Sequence, residues 1–202
     1  MFAYCSNNPV NHSDPAGLLP LCQFACASYQ EYGGPSYITD QDHPSIANKR
    51  YGLTTVSHGG CGAIATYNAL LSLGRLESFD DVLSYYNQHI FQLDAFGWAG
   101  TPVGLVAQYF RDSGYNVIVT DGWDEIDMLS KSADASILYY QFPATYWGIE
   151  AYGAHFVAYH QTVDGYTAYN TSENNGTHSF AYPSDYGYKD SRYYAIGIFI
   201  YN

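Results

Sequence analysis

After Cys61 the apolar side chains recur every three to four positions. Ile64, Tyr67, Leu70, Leu71 and Leu73 fall on one helical face, and Gly74 follows where a helix would end. The same period predicts a second helix from the cap-like "SFDDVLSYYNQHI" and a third in "TPVGLVAQYFRDSG", with Pro102 in the first turn and Gly114 as terminator. Beyond residue 115 the pattern changes. "YNVIVT" reads as a strand through its β-branched residues and "WDEIDMLSKS" as a short helix. "ASILYYQF", "AHFVAYHQTVDGYTAYNTS" and "RYYAIGIFIY" read as strands, with "VDGY" a hairpin turn. Helices first and sheet afterwards predict an α+β domain, one central helix packed on an antiparallel sheet, without internal repeats.

The start of the chain lacks such periods. Residues 1–18, "MFAYCSNNPVNHSDPAGL", hold Asn-Asn-Pro and Asp-Pro-Ala-Gly, which are turn chemistry. Residues 19–56 hold one short apolar stretch, "LLPLCQFACASY", read as helical after Pro20, and then a polar connection with glycine and proline. The chain therefore divides into a junction (1–18), a linker or pre-domain segment (19–50) and a folded domain (51–202).

At 202 residues and 47% hydrophobic, the chain can bury one sizeable core. No run approaches the roughly eighteen apolar residues of a membrane span, so no membrane partner is expected. The start also lacks the basic region and apolar run of a secretory signal, so export would use another route or another part of the protein. The net charge of −12 repels phosphate backbones and disfavours a nucleic-acid partner. Nuclease action is weakened further because no metal-ligand motif is clustered, and neither metal nor cofactor is expected. The 23 tyrosines suit half-buried sheets and peptide-binding clefts equally, so they decide nothing. Of the four cysteines, Cys5, Cys22, Cys26 and Cys61, Cys22 and Cys26 would share a helical face, as small buried hydrophobes or else as a disulfide or metal pair.

Cys61 is different because it sits among glycines where the first helix begins. Unpaired backbone N–H groups and the positive end of the helix dipole favour thiolate over thiol there. A serine would cap better, but a sulfur of lowered pKa is the stronger nucleophile near neutral pH. Gly59, Gly60 and Gly62 would clear side chains from a substrate lying across it. His155 opens the alternating segment "HFVAYH" and can serve as base, whereas His160 alternates to the other sheet face and His58 is a loop rival. The hairpin returns Asn170 towards His155, where its amide oxygen would orient the imidazole; a strict two-residue turn would bring Asn174 instead.

Two resemblances add to this reading. The residues Tyr4, Cys5, Asn8, Pro9, Val10, Asn11, Asp14, Pro15, Gly17 and Leu18 resemble the end of the core of RHS/YD-repeat proteins, with Phe2 in the place of a first tyrosine. The resemblance implies a junction between a repeat shell and a variable C-terminal toxin. It also implies autoproteolysis after Leu18, by aspartates of the shell, releasing an effector that begins at Leu19. Separately, Cys61, Gly62 and Ala65 before an apolar helix, and His155, Phe156 and Val157 leading through a hairpin to Asn170, resemble the papain-like cysteine peptidase superfamily. The likeness, over residues 50–202, is to its bacteriocin-processing branch and to papain-fold toxin domains.

The second resemblance implies a papain-like fold and a Cys61–His155–Asn170 triad. Such enzymes usually carry an oxyanion-binding glutamine about six residues before the nucleophile; here that position is Thr55, with Asn48 and Ser57 as further candidates. Together the two resemblances imply a secreted bacterial toxin domain, delivered to a target cell as part of a larger protein. Its partners would be a protein or peptide substrate, the RHS shell and an immunity protein that blocks the cleft. Glutamine deamidation or cross-linking, cleavage of peptidoglycan stem peptides, and a catalytically inactive binding module are the alternatives.

Overall fold

A computed structural model describes residues 36–146, 149–171, 176–188 and 194–202. The expected RHS junction, Cys5, Cys22, Cys26 and Asn174 lie outside these residues. Strands β1 (Arg50–Tyr51) and β2 (Thr54–Thr55) form a small hairpin, followed by a single turn of helix, α1 (Val56–Gly59), and then by α2 (Cys61–Ser72). Helices α3 (Phe79–Gln88) and α4 (Val103–Asp112) come next, joined by two 3-10 turns. The remainder is β3 (Asn116–Thr120), α5 (Trp123–Leu129), β4 (Ala135–Tyr146), β5 (Ile149–Thr162), β6 (Gly165–Tyr169), β7 (Thr177–Phe180), α6 (Pro183–Tyr188) and β8 (Tyr194–Tyr201). The class is α+β.

The three long helices lie where the apolar period places them, and their ends have physical causes. Ser78 and Asp81 form a capping box on α3, the serine hydroxyl accepting from the Asp81 N–H and the aspartate from the Ser78 N–H. Gly74 and Gly114 leave α2 and α4 in left-handed conformation, with φ of 72° and 89°. Pro102 stands at the N-cap of α4, one position before the first turn in which the sequence places it.

Strands β3, β8, β4, β5, β6 and β7 form one antiparallel sheet in that order. Alternation sorts its side chains into two cores. Ile137, Phe156, Ala158, Ile198 and Ile200 pack with α2, α3 and α4, whereas Leu138, Tyr140, Val157, Tyr159 and Phe199 pack with Ile126 of α5 and Tyr186 of α6. Both faces are therefore covered: the central helix α2 packs on one with α3 and α4, and α5 and α6 close the other. Burial on both sides is why these strands read as nearly unbroken apolar runs.

Helix α2 is buried along its length from Cys61 to Leu71. Its interior polar groups are satisfied locally. Thr66 Oγ1 donates to the Gly62 carbonyl (2.9 Å) and shares a 2.6 Å bond with the Tyr86 hydroxyl. The Asn68 amide pairs with both backbone groups of Ile38 at 2.9 Å. Residues 37–49 are thus packed on the domain: Tyr37 reaches Ser72, and the Ser57 N–H donates to the Ala47 carbonyl.

The glycines around Cys61 also differ from expectation. A Cβ on Gly59 would collide with the Gly97 carbonyl, on Gly60 with Val56, and on Gly62 with Thr101. The space that each lacks is filled by protein, so they serve packing rather than clearing a path for substrate. Gly59→Ala is expected to lower unfolding free energy by about 1–3 kcal/mol, since a backbone carbonyl must give way. Gly104→Ala, on the open face of α4 with nothing near its Cβ, should raise it by about 0.5–1 kcal/mol. Urea denaturation of the two variants checks both signs.

Candidate active site

The site forms where β5 loses its second strand partner. β6 pairs with β5 from Thr162↔Gly165 to Ala158↔Tyr169 and goes no further. The next residue, Asn170, takes φ of 61° and turns the chain off the ladder. Beyond that point one edge of β5 has no strand against it among the described residues, and the first residue of α2 meets that edge.

Cys61, 9% exposed, heads α2, with Gly60 at the N-cap position. Its sulfur shares a hydrogen bond with the His155 side chain and accepts from the backbone N–H groups of Phe156 and Gly62. Burial pushes the thiol up, but the His155 hydrogen bond, the imidazole charge and the two N–H groups outweigh it, so Cys61 ionises below its ordinary range. His155 and Phe156 are consecutive and point to opposite faces. Phe156 joins the α2 core, while His155 stands beside Tyr140 on the other face, ring centroids 5.9 Å apart. Imidazole and sulfur therefore meet around the open edge of the strand.

His155 lies in the middle of β5, six residues after its start at Ile149, rather than opening the strand. Asn170 reaches it differently from the sequence expectation. The His155 Nε2 lies 2.6 Å from the Asn170 backbone carbonyl, so that nitrogen donates and Nδ1 is left for the sulfur. The Asn170 side-chain amide instead points to Gln41, donating to its Oε1 at 3.5 Å. Gln41 Nε2 in turn donates to the Ser57 carbonyl at 2.8 Å, which ties the turn before α2 to the turn after β6.

The oxyanion candidates are dispersed. Asn48 is exposed, Thr55 pairs with Arg50 in the small hairpin, and the Ser57 hydroxyl donates to Asp42. Gln41 was not foreseen; it is the nearest glutamine before Cys61, but twenty residues away rather than six. Near Cys61, Tyr51 and Thr101 share a short buried hydrogen bond, and burial holds the Tyr51 phenol neutral.

Of the other histidines, His58 is exposed with its ring edge-on to Trp98 at 4.8 Å. His160 lies on the opposite face from His155, stacked on Tyr37 and Tyr169, and burial lowers its pKa. Among the described residues no three His, Cys, Asp or Glu side chains group as a metal site would require, and no helix is long and apolar enough to cross a membrane. No family model and no curated protein matches the chain.

The geometry has a direct consequence for alkylation by iodoacetamide, followed at Cys61 by peptide-resolved mass spectrometry. The wild-type midpoint should fall below the ~8.5 of a free thiol. In His155→Ala, burial persists while two lowering contributions vanish, so the midpoint should rise above that value and the rate at pH 7 drop about tenfold or more. Asn170→Gly keeps both the left-handed backbone and the carbonyl and should follow wild type. Asn170→Val, whose β-branched side chain opposes that backbone, should move the midpoint upward.

Proposed function

We propose that the domain is a papain-like thiol acyl-transfer enzyme acting on protein amides, and that it is the C-terminal effector of an RHS-type polymorphic toxin. The single observation that supports the catalytic reading is the pairing of the Cys61 sulfur with His155 while the far nitrogen of that ring is anchored on Asn170. A cysteine kept only for packing would gain nothing from an imidazole so oriented.

In this reading Cys61 Sγ attacks the amide carbonyl and its proton resides on His155. The imidazolium gives that proton to the leaving nitrogen as the C–N bond breaks, which leaves a thioester on Cys61. Water, deprotonated by the same ring, then attacks the thioester and frees the acid and the thiol. The Cys61 N–H at the start of α2 would bind the developing oxyanion, because Thr55 and Ser57 are engaged elsewhere. A further donor of this kind is worth about 3 kcal/mol of barrier.

An amine leaving group makes the reaction peptide cleavage, and ammonia makes it glutamine deamidation; both pass through the same thioester. The toxin assignment rests on residues 1–18 and brings with it the shell of the parent chain, delivery to a target cell and an immunity protein over the cleft.

The test is expression of wild type and Cys61→Ala in a susceptible host, with whole-proteome mass spectrometry. Wild type should be toxic and leave new protein termini, while Cys61→Ala should lose activity by about 10³-fold or more. Glutamine-to-glutamate conversion without new termini would assign deamidation instead. Equal toxicity of the two proteins would remove Cys61 as nucleophile.

A further inference from the structure

Beyond Gln141 strand β4 has no β8 beside it, and before Ala158 strand β5 has no β6, so residues 142–146 and 149–153 run on as a two-stranded arm. The register within the arm continues that of the sheet, from Ser136↔Tyr159 to Tyr146↔Ile149 without a bulge. On one face a Cβ at Gly153 would collide with the Phe142 ring, so that ring lies across the arm and braces it. On the other face Glu150, Tyr152 and Ala154 are exposed, Tyr152 by 66%.

The two edges of the arm are built differently. Phe156 turns its N–H to the Cys61 sulfur at the open edge of β5. Backbone groups point the same way at every second strand residue, so Ala154, Tyr152 and Glu150 present theirs along that same edge. Residues directly opposed in an antiparallel pair turn their backbone groups both inward or both outward. Pro143, opposite Tyr152, therefore turns its missing N–H outward on the far edge, where a proline stops another strand from adding. The β5 edge carries no such guard. Its row of backbone groups runs from Glu150 to Phe156 and ends on the sulfur, and no strand lies against it among the described residues.

Charge narrows what fits there. The sequence from 132 to 188 holds no lysine or arginine, whereas Glu150 stands exposed on the arm itself. A second copy of this acidic arm would bring no opposite charge. A strand bearing lysine or arginine would pair with Glu150 and lay its alkyl stem on Tyr152.

We infer that the β5 edge from Glu150 to Ala154 takes up the polypeptide substrate as an added strand, with a Lys or Arg side chain against Glu150, and so leads the substrate to Cys61. This rests on the catalytic reading above and names the substrate class: basic protein segments in extended conformation. Main-chain hydrogen bonds supply the affinity, and Glu150 with Tyr152 the selectivity.

The test uses the full chain and two probe families, acetyl-Thr-Xaa-Thr-Xaa-Gly chloromethyl ketones and chloroacetyl-Gly-Xaa-Thr-Xaa-Thr amides, with Xaa as Lys or Glu. They carry the reactive carbon at opposite ends, so one family runs along β5 whichever way the strand adds. The Cys61 thiolate displaces chloride, forming an S–C bond as the C–Cl bond breaks, and intact mass records the rate. Each rate is taken relative to that of iodoacetamide on the same protein, a reagent too small to reach the arm, at about 0.15 M salt to screen the net charge. In one family the Lys probe should react about fivefold or more faster than the Glu probe. Tyr152→Pro removes an edge N–H without a bond to β4 and should cut that preference to about twofold or less, while Tyr152→Phe should keep it. Glu150→Lys, which leaves the backbone unchanged, should abolish it. Equal Lys and Glu rates in both families, or a Lys preference that survives in Tyr152→Pro or in Glu150→Lys, would overturn the added strand and leave the catalytic reading standing. An ordinary iodoacetamide profile in wild type would overturn both together.

Discussion

Everything at the site depends on one interruption of the sheet. Asn170 adopts a left-handed conformation just after the last β5–β6 pair, and the ladder stops there. The Phe156 N–H, which a longer β6 could have met, is left without a strand acceptor. A buried backbone donor without a partner costs about 1–3 kcal/mol, so something must meet it. The Cys61 sulfur does, and it accepts from Gly62 as well. The same turn aims the Asn170 carbonyl at His155 Nε2. A single departure from regular pairing therefore supplies a donor for the Cys61 sulfur, an anchor for His155 and room for the first turn of α2.

Such an arrangement is useful only if the helix end cannot drift. Helix α2 has no solvent face to rotate towards, because the sheet, α3, α4 and residues 37–49 surround it. Asn68 acts almost as a strand residue, matching both hydrogen-bonding groups of Ile38, and Thr66 ties the helix to Tyr86. Gly59 and Gly62 then let Gly97 and Thr101 close on the N-terminal turn. The sulfur is placed by packing on several sides, which is what a preorganised nucleophile requires.

Much of this was legible in the residues. Apolar period marked α2, α3 and α4, β-branched and aromatic runs marked β3, β4, β5 and β8, and Cys61 and His155 stood out because helix-end and strand chemistry are local. Three short elements were not legible. "THSF" and "PSDYGY" carry no period long enough to declare β7 and α6, and α1 is a single turn. The hairpin reverses at Val163 and Asp164, so that Thr162 faces Gly165, one residue earlier than the Asp-Gly pair suggested. Gly165, at φ of 137°, is instead where the Phe180 backbone comes close. Asn170 was foreseen as the partner of His155, but through its side-chain amide oxygen and not its backbone carbonyl. A contact made through a backbone carbonyl depends on φ and leaves no mark in side-chain pattern, and neither does Gln41 reaching across from a segment read as linker.

The carbonyl anchor bears on the proposed cycle. An aspartate opposite His155 would carry a full negative charge and stabilise the imidazolium throughout. A carbonyl offers a dipole only, so the sulfur is the anion that pairs with the charged ring. In the proposed cycle, acylation of the sulfur would remove that anion from beside the ring. The ring that gave up its proton to the leaving nitrogen is then neutral, as a base must be to activate water against the thioester. In the proposed cycle one ring would thus serve both halves of the reaction, giving a proton to the leaving nitrogen and taking one from water.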